Sequence, residues 1–290
     1  MKYALYPGCV AKGGCPELYQ SLMHVYPRLG IELEELQNVA CTGAGVLQEK
    51  SLRLGDALNA RTFAIAEQKQ LPIMTICSTC QGVMSQANQR LTQNEHYLAE
   101  INESLAEEQL TYRGTTQIRH FLWILLEDVG IKKLQKAVSR PLDNLQVAPF
   151  YGCYLQRPTD ALGIDDYPAR RHALETVITA LGAKVVDLPG KNRCCGLPIL
   201  TINETNSLTM VANHTSDAKD NGADMMITPC PLCHLNLDGM QAKAEKQART
   251  SINLPILHLP QLIGLAMGMK PNDLGLTRNL VSPNKALQKI

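Results

Sequence analysis

Aromatic side chains are scarce in this 290-residue chain, where tryptophan, tyrosine and phenylalanine together make up 4%. That scarcity argues against stacking platforms for nucleic-acid bases. An excess of charge of either sign is missing as well: 28 Lys and Arg stand against 27 Asp and Glu, a net charge of +1. Neither an electrostatic footprint for nucleic acid nor a charged tail is present. No G-x-G-x-x-G or Walker sequence occurs, which excludes those loops for binding NAD, flavin or ATP, so electrons would have to come from another polypeptide. The opening Met1-Lys2-Tyr3-Ala4-Leu5-Tyr6 runs into Pro7-Gly8-Cys9 with no apolar h-region and no small-residue cleavage site. A cytoplasmic location is expected, and in that reducing compartment ten cysteines read as cofactor ligands rather than disulfides.

What is present is a cysteine pattern. In Asn192-Arg193-Cys194-Cys195-Gly196-Leu197-Pro198 two cysteines are adjacent. Vicinal side chains leave an extended backbone in opposite directions, whereas a mononuclear zinc site keeps two to four residues between paired ligands. A cluster of several irons fits better, provided Gly196 adopts a left-handed turn that aims both thiolates at one cofactor. Cys153 precedes this stretch, and Cys230-Pro231-Leu232-Cys233 follows it. The arrangement also occurs earlier: Cys41-Thr42-Gly43 aligns with Cys194-Cys195-Gly196, and Cys77-Ser78-Thr79-Cys80 aligns with Cys230 to Cys233 at the same offset. Tyr6-Pro7-Gly8-Cys9 matches Tyr151-Gly152-Cys153. The chain is a duplicated unit, and Thr42 stands where the second copy has Cys195.

Around the cysteines, strand and helix signals alternate. Strands are expected at Lys2–Tyr6, Ile31–Leu36, Pro72–Ile76, Leu145–Tyr151, Val185–Leu188 and Met225–Thr228, with helices at Glu17–Leu29, Leu47–Gln68, Leu91–Glu108, Ile118–Val129, Tyr167–Leu181 and Thr205–Asn221. Such alternation predicts an α/β fold of two tandem repeated domains, 1–141 and 142–290. Each would be a small, mainly parallel sheet flanked by helices, with the cysteine-bearing loops at the strand carboxyl ends. Lys132, Lys133, Lys136 and Arg140 form a basic stretch before Pro141, read as a solvated helix face at the linker or as a dock for an acidic partner.

A lone Cys, then Cys-Cys-Gly, then Cys-x-x-Cys, occurring twice, resembles the cysteine-rich family typified by the B subunit of heterodisulfide reductase. That family includes the membrane-anchoring subunit of non-classical succinate dehydrogenases and subunits of lactate and glycolate oxidases. The resemblance covers nearly the whole chain. It implies a noncubane four-iron, four-sulfur cluster on Cys153, Cys194, Cys195, Cys230 and Cys233, with bridging thiolate ligation. The first repeat offers Cys9, Cys41, Cys77 and Cys80, and a threonine hydroxyl is a poor substitute for thiolate on iron. A conventional four-iron or two-iron cluster, a structural zinc, or a variant cluster with Cys15 as the extra ligand all remain open there. The family also implies flavoprotein and iron-sulfur partner subunits, with quinone or a disulfide as the terminal substrate. The Thr42 departure favours quinone, and a metal-stabilised anchor subunit without catalysis is the reading from a different class.

Three further features complete the reading. Either Cys-x-x-Cys pair taken alone would also suit a thioredoxin-type disulfide at a helix start. His120 and His258 occupy equivalent places and His234 follows the last cysteine; structural hydrogen bonding or proton delivery is expected of them. Ser251–Met269 lacks Asp, Glu, Lys and Arg. It is a poor spanning helix and reads as a core helix or as an interfacial one in peripheral contact with the cytoplasmic face of a membrane.

Overall fold

The computed structural model describes residues 1–290. Strands β1 (Lys2–Tyr6), β2 (Glu32–Glu35), β3 (Ile73–Thr75) and β4 (Ile118–His120) pair in parallel in the order β2-β1-β3-β4. Strands β5 (Gln146–Pro149), β6 (Lys184–Val185), β7 (Met225–Thr228) and β8 (Ile256–His258) repeat that order as β6-β5-β7-β8. Parallel strands need crossovers, which here are helices, and the helices cover both faces of each sheet. The central strands are therefore apolar on both sides. Tyr3 and Leu5 enter one core layer while Ala4 and Tyr6 enter the other, and Val147 and Ala148 divide in the same way. Each layer draws residues from both repeats, so the sheets share one interior. The edge strand β2 is blunted by charge, with Glu34 paired to Lys2 at 2.9 Å and to Lys69 at 2.5 Å.

Several expectations change at the element boundaries. The span from 47 to 68 breaks at Ser51, whose hydroxyl accepts from the Leu54 N–H and caps a helix over Leu52–Gln68. Ile118–Val129 is not helical throughout: Ile118–His120 is β4, and the helix starts at Phe121. A three-residue apolar strand has too few residues to show a period of two, and its apolarity merges with that of the helix behind it. Likewise Ile256–His258 is β8, and Leu259–Ala266 is a helix with every residue buried. That helix packs on the Pro16–Val25 helix of the first repeat. The apolar stretch of Ser251–Met269 is thus interior surface between the repeats, which corrects the expectation of peripheral membrane contact through it. No helix of the chain is long and apolar enough to cross a membrane. The basic stretch forms the Ile131–Ala137 helix, with Leu134 buried and Lys132, Lys133 and Lys136 exposed.

Two side chains hold the repeats and the tail in place. Arg170 is buried with its guanidinium 4.2 Å from the Trp123 ring, and it pairs with Glu127 at 2.6 Å across the seam. Asp238, also buried, accepts from the N–H groups of Leu280 and Val281 at 2.7 and 3.1 Å. Gly82 lies in the Ser78–Thr92 helix where the loop after β5 crosses it; a Cβ there would stand 2.7 Å from the Tyr154 carbonyl oxygen. Gly82→Ala gains about 1 kcal/mol of helix propensity but collides with backbone that cannot rotate away. Overpacking of about 1–3 kcal/mol should win, seen as a lower denaturation midpoint.

Burial raises the Asp238 carboxyl to about 6 from its ordinary 3.8. A carboxyl raised in the folded state makes that state the better proton binder between those values, so its stabilising contribution is present below about 4 and lost as pH rises to about 6. Two units correspond to about 3 kcal/mol. Chemical denaturation of wild type and Asp238→Asn from pH 4 to 7 should show wild type losing ground to the variant by that order across the window.

Candidate metal-cluster site

Cysteine motifs follow three strands of each sheet, and all of them fall at the strand carboxyl ends. Beyond β1 the chain turns through Gly8 at φ +77° to reach Cys9; beyond β5 it turns through Gly152 at φ +70° to reach Cys153. Cys77 ends the segment after β3 and caps the Ser78–Thr92 helix, and Cys230 occupies the N-cap position of the Pro231–Gly239 helix. Cys80 and Cys233 follow in the first turn of these helices. The Cys80 N–H donates to the Cys77 sulfur at 3.4 Å, and a helix N-terminus favours negative charge of this kind.

In the first repeat the Cys9 and Cys41 sulfurs stand 3.6 Å apart. Together with Cys77 and Cys80 they line a cavity of about 140 Å³. Thr42 lines it too, and its buried hydroxyl has no hydrogen-bond partner. In the second repeat Cys153, Cys194, Cys195, Cys230 and Cys233 line a cavity of about 460 Å³. Gly196 adopts the expected left-handed conformation at φ +93°, and its N–H donates to Cys194 Sγ at 3.4 Å. The carbonyls of the vicinal cysteines are pinned by the Asn236 amide to Cys195 at 2.7 Å and by the His214 imidazole at Cys194, 2.9 Å away. Asn59 holds the Thr42 carbonyl at 3.1 Å in the first repeat. Sequence reasoning missed these three residues, because a lone amide or imidazole on a distant helix carries no spacing signal.

The sites lie back to back. The Thr79 hydroxyl is 3.4 Å from the Cys230 sulfur, and the Ser78 hydroxyl donates to the Pro229 carbonyl at 3.3 Å. Ala44, Thr79 and Leu232 line both cavities. Crowding governs the ionisation of these thiols. Hydrogen bonds from Cys153 and Cys195 push Cys194 down to about 2, while hydrogen bonding to Cys194 pushes Cys195 up to about 12. Cys230 is held well below its ordinary value by Cys233 and by Cys77 of the other repeat. One thiolate thus suppresses ionisation of its neighbours, and full ionisation of such a set requires cations among the sulfurs. Five soft donors around one cavity suit a polynuclear iron cluster; four around the smaller cavity suit a four-thiolate cluster or zinc.

The remaining candidates lie elsewhere. His120 is buried and caps a helix, its Nδ1 accepting from the Leu122 N–H at 3.1 Å and its Nε2 facing the Pro229 carbonyl at 3.2 Å. Burial lowers it to about 4, so the ring is neutral near pH 7. His234 and His258 stack with ring centroids 4.0 Å apart, also buried. None of the three lines either cavity. Cys15 corrects the expectation of an extra ligand in the first repeat: it stands at the N-cap position of the Pro16–Val25 helix, its sulfur faces the Pro231 carbonyl at 3.6 Å, and it does not line the cavity.

Residues 3–85 and 147–238 match the model of the CCG cysteine-rich domain. The chain belongs to that family, with the domain present twice. It is 36% identical over 284 residues to the 8-methylmenaquinol:fumarate reductase membrane anchor subunit of Wolinella succinogenes, covering 98% of each chain. It is 31% identical to the B subunit of the ferredoxin:CoB-CoM heterodisulfide reductase of Methanosarcina mazei, covering 100% of this chain and 97% of that one. The fold matches a crystal structure of a hypothetical protein from Helicobacter pylori with a TM-score of 0.76 at 20% identity, over 97% of this chain and 52% of that chain.

In each CCG repeat the glycine before the first cysteine has a positive φ that strains any side chain and lies close to a cysteine sulfur. A Cβ on Gly152 would lie 2.8 Å from Cys233 Sγ, and one on Gly8 would lie 3.3 Å from Cys80 Sγ. Gly152→Ala is expected to strain the left-handed turn by about 1 kcal/mol or more and to displace the Cys233 thiol. Iron retained by the second site should fall several-fold relative to Gly13→Ala, whose Cβ meets nothing.

Proposed function

We propose that the chain is an iron-sulfur electron-transfer subunit of a multi-subunit oxidoreductase, passing electrons between a flavoprotein and iron-sulfur partner and a quinone. The observation that carries this reading is the second-repeat cavity, where five thiols meet a largely apolar wall formed by both repeats. Tyr151, Tyr154, Leu197 and Leu232 line it, with Val46 and Ile202 exposed at its margin. Cys153, Cys194, Cys195, Cys230 and Cys233 would hold a noncubane four-iron, four-sulfur cluster, and Cys9, Cys41, Cys77 and Cys80 a second cluster or zinc. When bound, iron-sulfur clusters supply one-electron carriers whose potential follows sulfur hydrogen bonding and exposure.

The chain's own residues do the rest. The Gly196 N–H and the Thr79 hydroxyl set hydrogen bonds on Cys194 and Cys230, Asn236 and His214 fix the vicinal cysteine backbone, and the apolar wall keeps water from the acceptor. Back-to-back sites joined through Cys77 and Cys230 suit electron passage from one repeat to the other. A second reading, disulfide reduction at the same cavity, is favoured by the likeness to the Methanosarcina mazei protein. The loss of the fifth thiolate at Thr42 weighs against two equal clusters.

Anaerobic iron and sulfide analysis with EPR at stepped potentials tests the proposal. About eight irons per chain, and a signal that changes in Cys195→Ser, are expected for two four-iron clusters. About four irons, with a zinc that is lost in Cys41→Ser, would confine redox chemistry to the second repeat. Failure to bind iron even after anaerobic reconstitution would overturn it, and reduction of a disulfide in preference to a quinone by the native complex would transfer the reading to the second substrate.

A further inference from the structure

Away from both cysteine cavities, four buried side chains with metal-ligating atoms converge from separate points in the fold. Cys15 and Glu17 come from the start of the Pro16–Val25 helix in the first repeat, His234 from the Pro231–Gly239 helix, and His258 from the end of β8. One ligating atom of each lies within 4.8 Å of those of the other three. Glu17 Oε1 is 3.3 Å from His258 Nε2 and 4.0 Å from His234 Nδ1, and His234 Nδ1 is 4.0 Å from Cys15 Sγ. All four residues are no more than 4% exposed. In a tetrahedral shell with metal–nitrogen and metal–oxygen bonds of about 2.0–2.1 Å and a metal–sulfur bond of about 2.3 Å, ligating atoms stand about 3.3–3.6 Å apart. The pairs at 3.3 and 4.0 Å lie close to that shell, and the His234 and His258 rings, stacked with centroids 4.0 Å apart, would turn out of the stack to aim both nitrogens at one ion.

We propose that Cys15, Glu17, His234 and His258 form a closed structural site for a divalent zinc ion that staples the first repeat to the second. One thiolate, one carboxylate and two neutral imidazoles balance a 2+ ion, so the site adds no net charge to the interior. With four protein ligands and no open position it is a structural site rather than a catalytic one. Binding releases the Cys15 thiol proton. Glu17 binds through Oε1, while Oε2 stays with the Arg278 guanidinium at 3.2 Å, a partner that orients the ligating carboxylate. Because His234 follows Cys233 directly, the ion would also set the first turn of the helix that carries two thiols of the second site. The assignment is independent of the proposed quinone chemistry.

A proton network is the rival occupant. The Asn279 amide nitrogen lies 3.3 Å from His234 Nε2 and donates to the Ile256 carbonyl at 2.6 Å, which favours a His234 tautomer with its hydrogen on Nδ1, facing the quartet. Zinc requires that hydrogen on Nε2, with the Asn279 amide turned to receive it and its bond to the Ile256 carbonyl given up. Metal analysis and zinc X-ray absorption on the full chain, expressed with added zinc and passed over a chelating resin, separate the two. One zinc per chain is expected, in a shell of one sulfur and three nitrogen or oxygen atoms, retained in Cys41→Ser and reduced at least ten-fold in Cys15→Ser and His258→Gln. No retained zinc would overturn the site and leave the hydrogen-bonded network. Zinc in an all-sulfur shell, lost in Cys41→Ser, would overturn it by placing the ion in the first repeat. The absorption spectrum of wild type decides by itself if the variants do not fold.

Discussion

Nine thiols brought to neighbouring strand ends repel one another as soon as more than one of them ionises, and the architecture around them is arranged to tolerate that crowding. Glycines at φ +70° to +93° let the backbone come close to sulfur at Gly8, Gly152 and Gly196. Helix N-termini accept the charge at Cys77 and Cys230. Amides and hydroxyls fix the carbonyls and sulfurs that remain. The sheets do little more than deliver these loops to one seam. Their order, with the switch of winding direction between β1 and β3 and between β5 and β7, puts the first and third loops of each repeat side by side.

The parts of this design written in local pattern were legible from the sequence. The duplication, the parallel α/β class, the strand over Met225–Thr228 and the left-handed Gly196 all follow from spacing that survives in one dimension. The short strands β4 and β8 were not legible, since three apolar residues before an apolar helix share its composition. The helices after each Cys-x-x-Cys were hidden for a different reason. Ser78–Thr92 buries polar residues such as Gln81 and Ser85 against the seam, which erases the stripe that marks an amphipathic helix. Ser251–Met269 read as a core helix or as an interfacial one because apolarity alone does not say which surface will cover it; Leu259–Ala266 is a core helix, covered by the Pro16–Val25 helix from the opposite end of the chain.

The two repeats differ at a position that faces the cysteine cavity. Cys195 faces its cavity as one of five thiols, while Thr42 presents a buried hydroxyl with no partner. A buried hydroxyl without a partner carries a desolvation penalty of about 1–3 kcal/mol, and nothing else in the first repeat requires it. The same carbonyl is fixed from different helices: Asn59 of Leu52–Gln68 holds that of Thr42, while Asn236 of Pro231–Gly239 holds that of Cys195. Gly43 and Gly196 both adopt positive φ after the Thr42 and Cys195 positions, so the two halves share a frame but not a donor set.

Both core layers run without a break from one repeat into the other. Here the copies have exchanged their outer surfaces for a common interior, so neither half is a module that recombination could move or discard. Loosening one half therefore exposes apolar surface of the other, and strain reaches both ligand sets through one interior.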